Sequence, residues 1–129
     1  MAETKDKLVT VEDLKAALDG VSGTWTPTVS GGSASGLTVS EGKYYRLGAL
    51  VYARLKWASS QANSGKYAAV SGLPFTPGMA YYGNTVNTST NMAGLATARS
   101  DGTVHLQFRS NQAAASAGDS GYAWAIYNL

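Results

Sequence analysis

The chain has 129 residues, of which 44% are hydrophobic and 14% charged, against a usual charged share of about 25%; one domain with a surface of Ser, Thr, Gly, Asn and Tyr is expected. A formal charge of +2, with ten scattered basic residues, makes no stripe for a phosphate backbone and argues against nucleic-acid binding. Cysteine is absent, which excludes disulfides, thiolate chemistry and Cys-based zinc sites.

The opening "MAETKDKLVTVEDLK" is charged and lacks the apolar core of a signal peptide. No apolar run nears the roughly 20 residues of a membrane span, so synthesis in a cytoplasm and no membrane insertion are expected. Thr10 and Asp13 resemble a capping box, Val9 and Leu14 take the positions of a hydrophobic staple, and Gly20 supplies a stop. The spacing predicts a helix over 11–19. Val11, Leu14, Leu18 and Val21 recur at three, four and three residues, the seam of a heptad repeat. So short a helix is marginal in water and needs a partner, either its own domain or other copies of itself.

From Gly23 onward the period becomes that of strands. "GTWTPTV" reads as an edge or bulged strand because Pro27 interrupts it, and "SGGSASG" as a flexible turn. "KYYRL" and "ALVYARLKW" are two strands separated by Gly48; in the second, Val51, Ala53, Leu55 and Trp57 alternate with Tyr52, Arg54 and Lys56, which puts the apolar set in a core. "SSQANSGK" is a polar loop and "YAAVSGL" a short strand. "SGLPFTPG" is a structural corner, since Pro74 and Pro77 withhold two amides and Phe75 between them is an anchor. "YYGNTVNTSTNMAG" has weak strand character. "LATAR" and "TVHLQFR" flank Asp101-Gly102 as a hairpin, "NQAAASAGDSG" is a loop, and "YAWAIYN" is a strand apolar on both faces, to be buried inside a sandwich or between subunits.

These elements predict an all-β antiparallel, jelly-roll-like β-sandwich head over 23–129, preceded by a helical stalk or trimerisation segment over 1–22. Catalytic chemistry is weakly signalled. In the β region the carboxylates are Glu41, Asp101 and Asp119, each in an apparent turn, and a glycosidase pair would need two of them about 5–10 Å apart. His105 is the single histidine. The chain lacks a G-x-S-x-G elbow, a Walker loop and a G-x-G-x-x-G turn. No catalytic set, cofactor or metal is expected. Tyr81 and Tyr82 beside Asn84, Asn87 and Asn91 combine flat apolar rings with amide groups, a mixture suited to saccharides; the alternative is a Tyr-rich edge strand and a solvated loop.

"GTWTPTVSGG", "EGKYYRLGALVYARLKW" and "SGLPFTPG" together resemble a pattern of phage and prophage tail-fibre and minor structural proteins: G-x-W-x-P, then G-x-Y-x-R-x-G-x-x-V, then G-L-P-F. The matching positions include Trp25, Pro27, Gly42, Arg46, Gly48, Val51, Gly72, Leu73, Pro74 and Phe75, and these, with Tyr45 beside Arg46, are read as scaffold. The resemblance implies a homotrimeric head on a virion fibre or baseplate, contacting other tail proteins and a saccharide or protein of the bacterial surface. Alternatives are a purely structural or decoration domain and, remotely, a cell-wall glycan hydrolase. Threefold symmetry would join the helices through Val11, Leu14, Leu18 and Val21. It would bring the strand ending at Tyr127, or the His105, Gln107 and Arg109 face, to the axis.

Overall fold

The computed structural model describes residues 10–13, 22–108 and 116–129. Nine strands follow in chain order: β1 (Ser22–Trp25), β2 (Thr28–Gly32), β3 (Leu37–Leu47), β4 (Leu50–Ser59), β5 (Lys66–Ser71), β6 (Tyr81–Asn87), β7 (Met92–Ala98), β8 (Val104–Phe108) and β9 (Ser120–Asn128). All pair antiparallel in one curled sheet, ordered β1-β3-β4-β9-β6-β7-β8-β5-β2. The protein is therefore all-β and antiparallel. Among the described residues, helix is confined to 11–13. There the Thr10 amide donates to Asp13 Oδ2 at 3.2 Å and the Asp13 amide to Thr10 Oγ1 at 3.0 Å, the reciprocal cap read from the sequence. Leu14, Leu18 and Val21 lie outside the described residues, and Val11 is exposed.

The two edges of the sheet, β1 and β2, are consecutive in the chain, joined only by Thr26 and Pro27. Pro27 offers no amide and breaks the run, so Ser22–Trp25 pairs with β3 while Thr28–Gly32 pairs with β5. The expected edge strand is thus two edges. Because a two-residue link cannot span an open nine-stranded sheet, the sheet curls until β2 lies beside β3. Two glycines make room for the link. A Cβ on Gly42 would strike the Trp25 carbonyl oxygen and lie 2.8 Å from Pro27 Cδ, and one on Gly72, at φ 102°, would strike the Thr26 carbonyl oxygen.

The inner surface joins large side chains on some strands to small ones on others. Val51, Ala53, Leu55 and Trp57 of β4 point inward as the alternation predicts, and Trp57 meets Phe108 edge to face with ring centroids 5.1 Å apart. On β7 and β9 the inward positions are Ala96, Ala98, Ala123 and Ala125. Gly121 completes this set: a Cβ there would sit 2.7 Å from Trp57 Cζ2. The indole of Trp57 donates to Thr85 Oγ1 at 3.0 Å, and Thr85 donates onward to the Tyr122 carbonyl at 3.1 Å. A fully buried hydroxyl is thereby satisfied in both roles.

Three segments differ from their sequence reading. β3 starts at Leu37 and carries a bulge between Ser40 and Lys43, where Glu41 takes φ 52°; that irregularity masked the strand's first half. "SGGSASG" is not a free turn, because Ser30–Gly32 ends β2 and the fully buried Asn63 holds the rest. Asn63 Nδ2 donates to the Ser35 carbonyl at 2.9 Å and to Ser59 Oγ at 2.8 Å, while its Oδ1 accepts from the Ser35 amide at 3.0 Å. "YYGNTVNTSTNMAG" forms β6, a turn and the start of β7, with β6 in the middle of the sheet between β9 and β7.

The expected corner is present. Residues 72–80 form no strand, Pro77 is buried, and Phe75 packs on the core with Tyr44 edge-on at 5.3 Å and the Arg46 guanidinium 4.6 Å above its ring.

The seam separates steric from conformational cost. Gly42→Ala should lose about 3 kcal/mol through overpacking, whereas Gly48→Ala, at φ 59° with open space around it, should lose only about 1 kcal/mol. Urea unfolding of both variants measures the difference, and equal losses would contradict the seam's role.

Candidate functional site

Five residues were expected to contact a ligand, and the sheet distributes them to different environments. Tyr82 (70% exposed) and Asn84 stand on the outer face of β6, two positions apart and therefore on one side. Tyr81 is partly buried against the core. Asn87 is fully buried, its Nδ2 donating to Asp119 Oδ2 at 2.9 Å and its Oδ1 accepting from the Ser89 amide at 3.0 Å, so it holds the loops rather than a ligand. Asn91 occupies the exposed turn between β6 and β7 at φ 59°, a conformation Asn tolerates. It lies about 17 Å along the strand from Tyr82. Only Tyr82 and Asn84 belong together.

The residues expected at a trimer axis also separate. Tyr127 points inward, 1% exposed, and its hydroxyl donates to the Phe75 carbonyl at 2.7 Å; burial pushes its phenol up to about 12, against that bond. It therefore fastens β9 to the 72–80 corner and offers nothing to a neighbouring copy. His105 and Gln107 share the outer face of β8, and the His105 ring stacks on Tyr67 with centroids 5.2 Å apart. Burial, then the Arg99 charge, lower the His105 pKa, with Asp101 opposing, which favours the neutral, stacked imidazole. Arg109 lies outside the described residues.

Within the single chain β9 is buried on one face and open on the other. Ala123, Ala125 and Tyr127 are buried, but Tyr122, at 39%, and Ile126, at 53%, are exposed, with Trp124 half-buried between them. Nothing within the described residues covers that side. The register carries it across neighbouring strands: Tyr52 stands opposite Ile126, Arg54 opposite Trp124 and Lys56 opposite Tyr122. On the far side of β9, Asn84 stands opposite Trp124 and Val86 opposite Tyr122. On the near side, Lys43 faces Arg54 and Tyr45 faces Tyr52, the two tyrosine rings 6.1 Å apart.

Tyr52, Arg54, Tyr122 and Trp124 line an open hollow of about 230 Å³. That is below the 300–1,000 Å³ typical of a drug-sized pocket and suits one ring-sized group with the rest of a ligand lying along the sheet. Aromatic faces, a guanidinium and the neighbouring Asn84 amide offer apolar contact and hydrogen bonding together. In the sequence Tyr52, Arg54 and Lys56 appear only as the residues that alternate with a core-facing set, with no role of their own. The usable signal was the apolar outer set of β9, which only the β4–β9 register makes a site.

The three β-region carboxylates each have local partners. Glu41 pairs with Lys56 at 3.6 Å on the surface. Asp101 accepts from the Thr103 hydroxyl at 2.6 Å and the Thr103 amide at 3.0 Å, which lower its pKa. Asp119 Oδ2 accepts from Asn87 and from the Ser116 amide at 2.9 Å. Among the described residues no three His, Cys, Asp or Glu side chains group as metal ligands, and no helix is long and apolar enough to cross a membrane. Compared with protein-family models, curated proteins and solved structures, the chain matches none.

The Tyr127 phenol gives a pH signature. Its folded pKa is raised above the unfolded value of 10.0, so the unfolded state loses its proton first, and this contribution to stability falls as pH rises from 10 toward 12. Tyr127→Phe should cost about 1 kcal/mol at neutral pH and flatten that alkaline loss. Denaturant titrations at several pH values check both.

Proposed function

We propose that the chain is a non-enzymatic structural protein of a phage or prophage particle: the head of a tail-fibre or baseplate component that holds a host-surface saccharide on its outer sheet face. The observation that carries this reading is the open row of rings and amide on β4, β9 and β6, where Tyr52, Tyr122, Trp124, Tyr82 and Asn84 face away from the core. Stacked sugar rings need such flat apolar faces beside hydrogen-bonding groups. Support for the particle comes from the sequence resemblance, whose residues Trp25, Pro27, Gly42, Gly72 and Phe75 meet at the seam and the corner.

In this reading the curled sheet is a jelly-roll-like sandwich, the capped turn at 11–13 opens a helical stalk, and three copies assemble through that stalk and through the exposed Leu47, Leu50 and Ile126 beside Tyr45. The head is made in the bacterial cytoplasm and resides in the virion, where its partners are its own copies, other tail proteins and the host surface. A second reading, a structural or decoration domain without a receptor, is favoured by the same three aliphatic side chains if other virion proteins cover them.

A glycan array should show saturable binding that Trp124→Ala or Tyr82→Ala weakens at least tenfold while thermal unfolding stays within about 2 °C; binding indifferent to both variants would remove this face. Light scattering should give about three times the 13.4 kDa of one chain, and a mass of one chain would remove the trimer.

A further inference from the structure

The row across the hollow has a charge as well as a shape. From β3 to β6 it runs Lys43, Arg54, Trp124, Asn84, each directly opposite the next in the register. With neighbouring strands about 4.8 Å apart, it spans about 14 Å. Arg54 is half-buried between Tyr52, Tyr122 and Trp124 in the wall of the hollow. Among the described residues no carboxylate or carbonyl pairs with its guanidinium. Other cations do have partners: on this face Lys56 pairs with Glu41, and on the opposite face of β3 Arg46 donates to the Gly48 carbonyl at 2.7 Å while covering Phe75. Lys43, the cross-strand neighbour of Arg54, adds a second positive charge, and Glu41, in the bulge just before Lys43, is already engaged by Lys56.

Two cations side by side repel, and a partly desolvated guanidinium walled by three rings without a counter-ion is costly. An anion in the hollow relieves both. A guanidinium presents a planar fork that matches the oxygens of a carboxylate or a phosphate, and Trp124 with Tyr122 supplies faces for the ring that bears it.

We propose that the hollow is a binding site for an acidic saccharide, a sugar ring carrying a carboxylate or a phosphate whose anionic group is read by Arg54 and Lys43, whose ring lies on Trp124, and whose neighbouring hydroxyls meet Asn84. This rests on the saccharide-binding reading above and names its ligand class.

The test compares three probe sets on the full chain by calorimetry: neutral hexose oligomers, oligomers ending in glucuronate or galacturonate, and hexose 6-phosphates, with inorganic phosphate alone as a control. The expected result is at least tenfold tighter binding of one acidic set than of the neutral set, weakening as salt rises. Arg54→Gln should lose that preference and, relieved of the charge facing Lys43, unfold no earlier than the wild type; Arg54→Lys should keep part of the preference. Which acidic set binds identifies the anion. Neutral oligomers binding as well as acidic ones, or Arg54→Gln leaving the preference intact, would overturn the proposal and leave the saccharide reading standing. Inorganic phosphate binding as tightly as the hexose phosphates would overturn the ring's part in it. No binding by any saccharide would overturn both.

Discussion

Everything in this fold depends on a two-residue connection between the two edges of its sheet. Because β1 and β2 are joined by Thr26 and Pro27 alone, seven intervening strands must be wound into a curl, and the path of the link is fixed by what lies on either side. Gly42 on β3 and Gly72 after β5 allow backbone to approach backbone there, and the Trp25 indole anchors the first edge by donating to the Lys43 carbonyl at 3.1 Å. An edge strand is ordinarily open to pairing with another chain. Here the two edges are short, β2 lies beside β3, and the link at Thr26 and Pro27 tethers one edge to the other.

The curl explains the composition of the interior. Winding the sheet brings opposite walls together, so a large side chain on one strand requires a small one facing it. Trp57 and Phe108 fill the space that Gly121, Ala123 and Ala96 leave. The abundance of Ala and Gly, which looks in the sequence like loop material, is part of the packing. The same winding turns outward the alternate residues of β4, β9 and β6, and these are large: Tyr52, Trp124, Tyr122, Ile126 and Tyr82. On β9, from Gly121 to Ile126, bulk outside and small residues inside are two results of one alternation.

The parts legible in the sequence were those governed by neighbours along the chain. The period of two from Val51 to Trp57, the turn at Asp101-Gly102, the interruption at Pro27 and the cap at Thr10 and Asp13 each concern a few consecutive residues, and each appears where it was read. What was not legible depended on partners distant in the chain. β6 reads as a stretch of weak strand character because Asn and Gly are poor strand formers, yet Thr85 and Asn87 are buried through bonds to Trp57, Tyr122 and Asp119 that no local pattern announces. Tyr127 reads as a residue for a subunit axis because its strand is apolar on both faces, and only its burial and its bond to Phe75 identify the inner face. The candidate site was half visible for the same reason: Tyr82 and Asn84 were recognised as a local pair, but Arg54 and Trp124 become neighbours only when β4 meets β9.

The position of β9 has a consequence for the order in which the molecule is made. The ninth strand in chain order is seated between β4 and β6, with β4 paired to it from Leu50 to Ala58. Until Asn128 has been added, the nascent chain holds at most two separate half-sheets, β1-β3-β4 and β6-β7-β8-β5-β2, each presenting an unpaired inner strand and an uncovered apolar face. The half-sheets can be tethered at Pro27 but not joined into one hydrogen-bonded surface. The sheet is therefore completed by the insertion of one strand, and the interval before that insertion is when its exposed β-edges are most open to pairing with another copy.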